Sequence, residues 1–272
     1  MKIIGLSNIR YELDNLKEIP HILFVGARGT GKTTLAMYLA QTKHKNIHFL
    51  TGNTLKKQDM LATFVTLEKN DIILIDEIHR LRPEVEELLY QPMELFKLPI
   101  QDKSGNHLLL DLEKFSLIGT TTKPSKLSKP LLSRFQLTLH IPHYNIRELA
   151  RIVRTKYNIS QREALLVASN TITPREALNL AFRVVQLGGN IQKNLEFIGY
   201  KFGLSKTERY YLKIVHKVGK ISKRSLASAL QIDEDELDYI EDKLIHKGLV
   251  EITNRGRSLT IKGMLKIKEM LK

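Results

Sequence analysis

Residues 26–34 read GARGTGKTT and follow directly on the apolar run HILFV at 21–25. The spacing Gly26-x-x-x-x-Gly31-Lys32-Thr33 is that of a loop that cradles phosphates, provided it leaves a strand and opens a helix. The context fits. HILFV is short, unpunctuated and β-rich, and 32–43 reads as a helix. Glycines at 26, 29 and 31 let backbone N–H groups close around phosphate oxygens, and the helix N-terminus adds its positive dipole end. Lys32 is placed to reach the β- and γ-phosphates, and the Thr33 hydroxyl to hold Mg²⁺. Gly26, Gly29, Thr30, Gly31, Lys32, Thr33 and Thr34 are the candidate nucleotide-binding residues.

Some 40 residues downstream stands DIILIDEIHRL, 71–81. The strand IILI delivers Asp76 and Glu77 at its C-terminal end, where open α/β sheets place their ligands. Asp76 suits a water-mediated Mg²⁺ ligand. Glu77 suits the general base that takes a proton from an attacking water. An acid pair stabilised by a helix dipole is the other reading of these residues; the upstream loop favours the catalytic one.

Further apolar runs at 46–50, 71–75, 115–120 and 136–141 alternate with helical patterns at 54–68 and 83–95. Such runs are expected of strands buried on both faces, so the first half reads as a parallel sheet with flanking helices. Residues 98–112, LPIQDKSGNHLLLDL, place two apolar stretches around DKSGN and read as a hairpin. From 145 to 203 the pattern is helical, with Pro174 opening a helix at its first turn. The tail shows helices at 206–218, 222–230 and 233–247, then a hairpin around Asn254-Arg255-Gly256-Arg257 and a last helix, which is winged-helix order. The expected domains are 1–142, 143–203 and 204–272.

There is no cysteine, which excludes disulfides and Cys-ligated metals. No run approaches the ~18 apolar residues of a membrane span, and the N-terminus has no secretory pattern, so a soluble cytoplasmic protein with no membrane partner is expected. The net charge is +14, with +4 in residues 1–142 and +5 in each of 143–203 and 204–272. The second half is the more basic for its length, and nucleic acid is the leading partner for that balance.

Taken with several longer strings, these motifs resemble the AAA+ ATPases and, more narrowly, the RuvB family of Holliday-junction branch-migration motors. DEIHRL with VEELLYQPME (76–94), LDLEKFSLIGTTTKPSKLSKPLLSRF (110–135), ITPREALNLAFRV (172–184) and NRGR (254–257) carry the likeness, which covers about residues 1–260. The resemblance implies an α/β AAA+ P-loop domain, a helical lid and a C-terminal winged helix, with ATP and Mg²⁺ as ligand and cofactor. It makes Thr121 and Thr122 the first sensor and Arg134 a finger inserted into a neighbouring subunit's site. That implies a ring, expected as a hexamer, because a finger in trans needs a head-to-tail interface. It makes Arg175 the second sensor, and sets Ile3, Ile4, Tyr144 and Pro174 around the adenine. In the family the hairpin docks on the junction-binding partner RuvA; here Leu98, Ile100, Leu108, Leu109 and Leu110 can serve, or can pack inward. The segment before the loop and the hairpin are short for the family, and PLLSRF keeps one Arg where two are common.

A winged helix usually reads bases with its third helix. Here that helix carries Asp233, Glu234, Asp235, Glu236, Asp238, Glu241 and Asp242, which phosphates repel. The wing is the candidate instead: Arg255, Gly256 and Arg257 at a tight turn can grip a minor groove or phosphates without reading sequence. The expected function is therefore ATP-driven duplex-DNA translocation at Holliday junctions. A replication-type loader or initiator working through a protein partner is the alternative. A protein remodeller is disfavoured, because TLKKQDM (54–60) has no aromatic pore-loop character.

Overall fold

The computed structural model describes residues 3–101, 107–254 and 256–271, which fall into two compact units, Met1–His143 and Tyr144–Lys272. In the first, β1 (Ile22–Val25), β2 (Ile47–Thr51), β3 (Ile72–Asp76), β6 (Ser116–Thr121) and β7 (Leu137–His140) pair in the order β2-β3-β6-β1-β7, all parallel. Every residue of β1 and β6 is buried, as is all of β3 except Asp76, whereas the edge strands β2 and β7 are more exposed. That is the burial expected when helices cover both faces of a parallel sheet. The order has one consequence for chemistry. β6 lies between β1, which ends at the Gly-rich loop, and β3, which ends at the acidic pair.

Helices α1 (Ser7–Asp14), α2 (Lys32–Thr42), α3 (Lys57–Val65), α4 (Pro83–Leu95) and α5 (Lys129–Leu132) complete the unit, with the hairpin β4 (Lys97–Gln101) and β5 (His107–Asp111). α3 is shorter than the expected 54–68 because the Asp59 carboxylate accepts the Lys56 N–H and sets the start there. α1 was not expected. It is bound to α2 through Tyr38 Oη donating to Asp14 (2.8 Å) and Lys43 Nζ donating to the Asp14 carbonyl (2.9 Å). Within the hairpin, β4 supplies the core contact, with Leu98 buried and Ile100 partly buried against the same cluster, while Leu108, Leu109 and Leu110 of β5 are exposed. The intervening residues 102–106 lie outside the described set.

One buried histidine ties three elements together. His21 Nδ1 accepts the Leu117 N–H (2.8 Å), so the proton sits on Nε2, which donates to the Met93 carbonyl at the end of α4 (2.9 Å). Burial pushes its pKa down, more than the Met93 bond raises it. The native state therefore refuses a proton that the unfolded chain accepts below about pH 6.5. Stability should fall as pH drops from 6.5 toward the depressed native value, with a slope approaching about 1.4 kcal/mol per pH unit. Urea unfolding of the wild type and of His21→Asn between pH 7.5 and 5.5 checks this: the substitution should flatten the slope.

The second unit begins with α6 (Ile146–Lys156), α7 (Gln161–Ala168), α8 (Pro174–Gln186) and α9 (Ile191–Phe197). It continues with α10 (Lys206–Val218), α11 (Lys223–Leu230), α12 (Glu234–His246), the hairpin β8 (Val250–Thr253) and β9 (Gly256–Leu259), and α13 (Ile261–Leu271). The starts of the first seven helices are written in the sequence. Asn145, Ser160, Thr173, Asn190, Ser205, Ser222 and Asp233 each accept a backbone N–H three residues on. Such a cap contributes about 1 kcal/mol. The winged-helix core is Tyr211, Leu212, Val215, Leu226, Leu237 and Leu244 with their neighbours.

Within this unit the four-helix segment is bonded to the winged helix. Lys243, almost fully buried on α12, is ion-paired with Glu176 of α8 and with Glu208 of α10 (2.6 Å). Burial alone pushes its pKa down, but Glu208 and Glu176 outweigh that and the net shift is upward. Lys247, also bonded to Glu208 (3.5 Å), is pulled down to about 8 by burial. Among the described residues no helix is long and apolar enough to cross a membrane.

Candidate nucleotide site and wing

The Gly-rich loop leaves β1 and closes onto α2 through Gly31, which occupies the cap position at φ 94° with no side-chain cap. Gly29 is also left-handed, at φ 82°. Glycine adopts these angles without steric cost, and an uncapped first turn leaves backbone N–H groups directed at an incoming anion. Thr30, fully buried, donates to the Ala27 carbonyl (2.9 Å) and locks the loop across itself. Lys32 is 6% exposed, and its ammonium donates to the Gly26 and Ala27 carbonyls (2.8 and 2.9 Å). The cation is thus held over the loop's own concavity, where phosphate charge would be compensated.

The strand ends converge as the sheet order requires. Thr33 Oγ1 donates to Asp76 Oδ1 (2.9 Å), so a loop hydroxyl and a carboxylate 43 residues away meet. Glu77 comes next, in the left-handed region at φ 53°. A non-glycine residue there costs of order 1–3 kcal/mol and persists only when its surroundings hold it. Thr120 provides that hold: its hydroxyl donates to Asp76 Oδ1 (2.5 Å) and accepts the Glu77 N–H (3.2 Å). Thr122 Oγ1 donates to Glu77 Oε2 (3.3 Å).

Thr121 points to the other side. Successive strand residues face opposite ways, and its hydroxyl meets His79 Nδ1 (2.9 Å) rather than the acidic pair. Thr121 thus reaches Glu77 by way of His79, whose Nδ1 is 3.2 Å from Glu77 Oε2. Burial is the main cause that pushes the His79 pKa down. Thr120 and His79 were not singled out from the sequence. The signal was there in the run Thr120-Thr121-Thr122 at a strand end, which must send hydroxyls to both faces.

Arg134 lies just beyond α5. Its Nε donates to the Tyr90 carbonyl (3.0 Å), Nη1 to the Pro130 carbonyl (2.7 Å) and Nη2 to Glu94 Oε2 (2.9 Å). The second-sensor candidate Arg175 is exposed on the first turn of α8, directly after Pro174 at its N1 position. Tyr144 is buried in the second unit, its hydroxyl pushed up to about 12 by burial and by Glu148. In the first unit Ile3 is buried and Ile4 half-buried.

The wing differs from its expected form. Arg257 faces inward, bidentate on the buried Glu241 carboxylate (Nε–Oε1 2.7 Å, Nη2–Oε2 3.1 Å). Tyr211 Oη donates to the same carboxylate (3.2 Å). Gly256, at φ 116°, makes its close approach to its own chain: an added Cβ would meet the Ile221 carbonyl oxygen at 2.7 Å. The guanidinium and glycine expected to face DNA therefore build the wing's attachment, and Arg255 lies outside the described residues. The acids of α12 are likewise employed at home. Asp233 caps the helix, Lys223 binds Glu234 and Asp238, and Glu241 holds Arg257. Glu241 was detectable, because it falls on the apolar stripe Leu237, Ile240, Leu244.

Two family models match the chain: the Holliday junction DNA helicase RuvB P-loop domain over residues 9–141 and the RuvB C-terminal winged helix domain over 201–268. The Holliday junction branch migration complex subunit RuvB of Thermosipho melanesiensis is 35% identical over 95% of this chain and 89% of its own length. That of a Nitratiruptor species is 37% identical over 90% and 80%. Among solved structures, the Thermotoga maritima RuvB Holliday junction branch migration motor superposes with a TM-score of 0.81 at 32% identity, covering 97% of this chain and 95% of that one.

Proposed function

The chain belongs to the RuvB family, and from that premise we propose how its residues drive the branch migration of Holliday junctions with ATP. The observation that carries the proposal is the meeting of the loop and the acidic strand, with Thr33 on Asp76 at 2.9 Å and Glu77 next in line. Lys32 and the loop N–H groups bind the β- and γ-phosphates. The hydroxyl of Thr33 and the carboxylate of Asp76 suit Mg²⁺, a hard ion that takes one or two protein oxygens and completes its shell with phosphate and water; when bound it offsets phosphate charge. Glu77 accepts the proton of the attacking water, and Thr122 orients its carboxylate.

Arg134 completes the site of a second copy. Its three bonds are to α4 and α5, away from its own Gly-rich loop, which supports a role in trans and hence a ring, read as a hexamer. Arg175 is the second sensor, and Ile3, Ile4, Tyr144 and Pro174 are assigned to the adenine on the family likeness. The exposed leucines 108–110 offer a docking edge to a RuvA-like partner. DNA contact by the wing rests on Arg255. Three domains, 1–142, 143–203 and 204–272, and a cytoplasmic setting complete the proposal.

The test is ATP turnover with and without long duplex DNA, then dissociation of a synthetic four-way junction. Stimulation several-fold by DNA, and junction dissociation that requires ATP and is lost in Lys32→Ala, are expected. Turnover indifferent to DNA, with junctions left intact, sinks the proposal.

A further inference from the structure

Arg134 is not a loose surface arginine. A guanidinium has five N–H donors, and three of them are used on Tyr90, Pro130 and Glu94. Because one donor of Nη1 and one of Nη2 are engaged, one N–H remains on each terminal nitrogen. The group also lies over the Tyr90 ring, 4.6 Å from its centroid. Tyr90 is itself fixed: its hydroxyl donates to Glu86 Oε1 (3.0 Å) and is bonded to Ser128 Oγ (3.1 Å). Ser128 in turn caps α5, the helix that delivers Arg134. Helices α4 and α5 are thus joined to each other and to the guanidinium from two sides.

We propose that Glu94 and Tyr90 are positioning residues for Arg134, holding its plane so that the two remaining N–H groups meet the phosphates bound by a second copy of this chain. The inference rests on the reading of Arg134 as a finger in trans. Donors fixed before the reaction stabilise developing charge better than donors that must reorganise during it. The Tyr90 ring sets the plane, and the Glu94 carboxylate stops rotation within it. Without them the guanidinium keeps its charge and its chain position but loses its aim. The loss should be about tenfold in kcat with KM unchanged, well short of the roughly 10³–10⁵-fold attached to a missing finger.

Mixed assemblies test this. Lys32→Ala subunits carry a finger but no working site, and Arg134→Ala subunits carry a site but no finger. Together they should regain turnover only where an Arg134→Ala site faces a Lys32→Ala neighbour. Glu94→Ala or Tyr90→Leu is then added to one partner at a time. A drop of about tenfold is expected when the change sits in the Lys32→Ala finger donor and none when it sits in the site donor. Tyr90→Phe, which keeps the ring but not its hydroxyl bonds, should cost less than Tyr90→Leu in the finger donor. Equal drops from both placements, or none from either, overturn the positioning role. Failure of the unmodified mixture to regain turnover is a separate result: it removes the finger in trans, and the positioning role with it.

Discussion

Glu77→Gln is expected to lower ATP turnover at saturating nucleotide by roughly 10²–10⁴-fold, the usual contribution of a positioned general base, while nucleotide affinity stays within a few-fold of wild type. The substitution keeps the shape of the side chain and an oxygen for the Thr122 hydroxyl, now 3.3 Å from the carboxylate. The backbone bond from the Glu77 N–H to Thr120 also survives, so the left-handed turn is not released. What disappears is the basic lone pair. Lys32, Thr33 and Asp76 are untouched, which is why binding should persist. Single-turnover hydrolysis beside equilibrium binding of a fluorescent nucleotide separates the two quantities. Turnover within threefold of wild type would place the base elsewhere. His79 is then the next group to replace, since its ring is the neighbouring titratable side chain.

The large features of this site were legible because they are local in sequence. The loop, its strand and its helix occupy one continuous stretch, and Asp76-Glu77 end one apolar run. The helix caps of the second unit are likewise written three residues from the groups they satisfy. Other parts were hidden because they depend on which strands become neighbours. Thr120 matters only because β6 inserts between β1 and β3, an order that no strand's own sequence reveals. Lys243 and Glu176 are 67 residues apart, and nothing in either local stretch points to the other. The places of Gly256 and Arg257 were hidden for a related reason. A glycine flanked by arginines has the same sequence whether it approaches a nucleic acid or its own chain, and here Ile221 is what Gly256 approaches.

Arg257→Leu should accordingly destabilise the winged helix by about 3–5 kcal/mol, the usual cost of removing one partner from a buried ion pair. Glu241 would be left buried with an uncompensated charge and only the Tyr211 hydroxyl to bind. Any loss of DNA stimulation in an Arg257 variant then reports a lost fold rather than a lost phosphate contact. Thermal unfolding of the full chain decides between them. A DNA contact alone leaves the transition where it was, whereas the buried pair predicts a lowered one. Adding Glu241→Leu should recover much of the stability, because an apolar pair of similar volume avoids the desolvation of both charges. Recovery should remain incomplete, since the Tyr211 hydroxyl would then be buried without a partner, at a cost of about 1–3 kcal/mol. The triple replacement with Tyr211→Phe removes that cost too. A full recovery already at the double replacement would mean that the hydroxyl has found another acceptor.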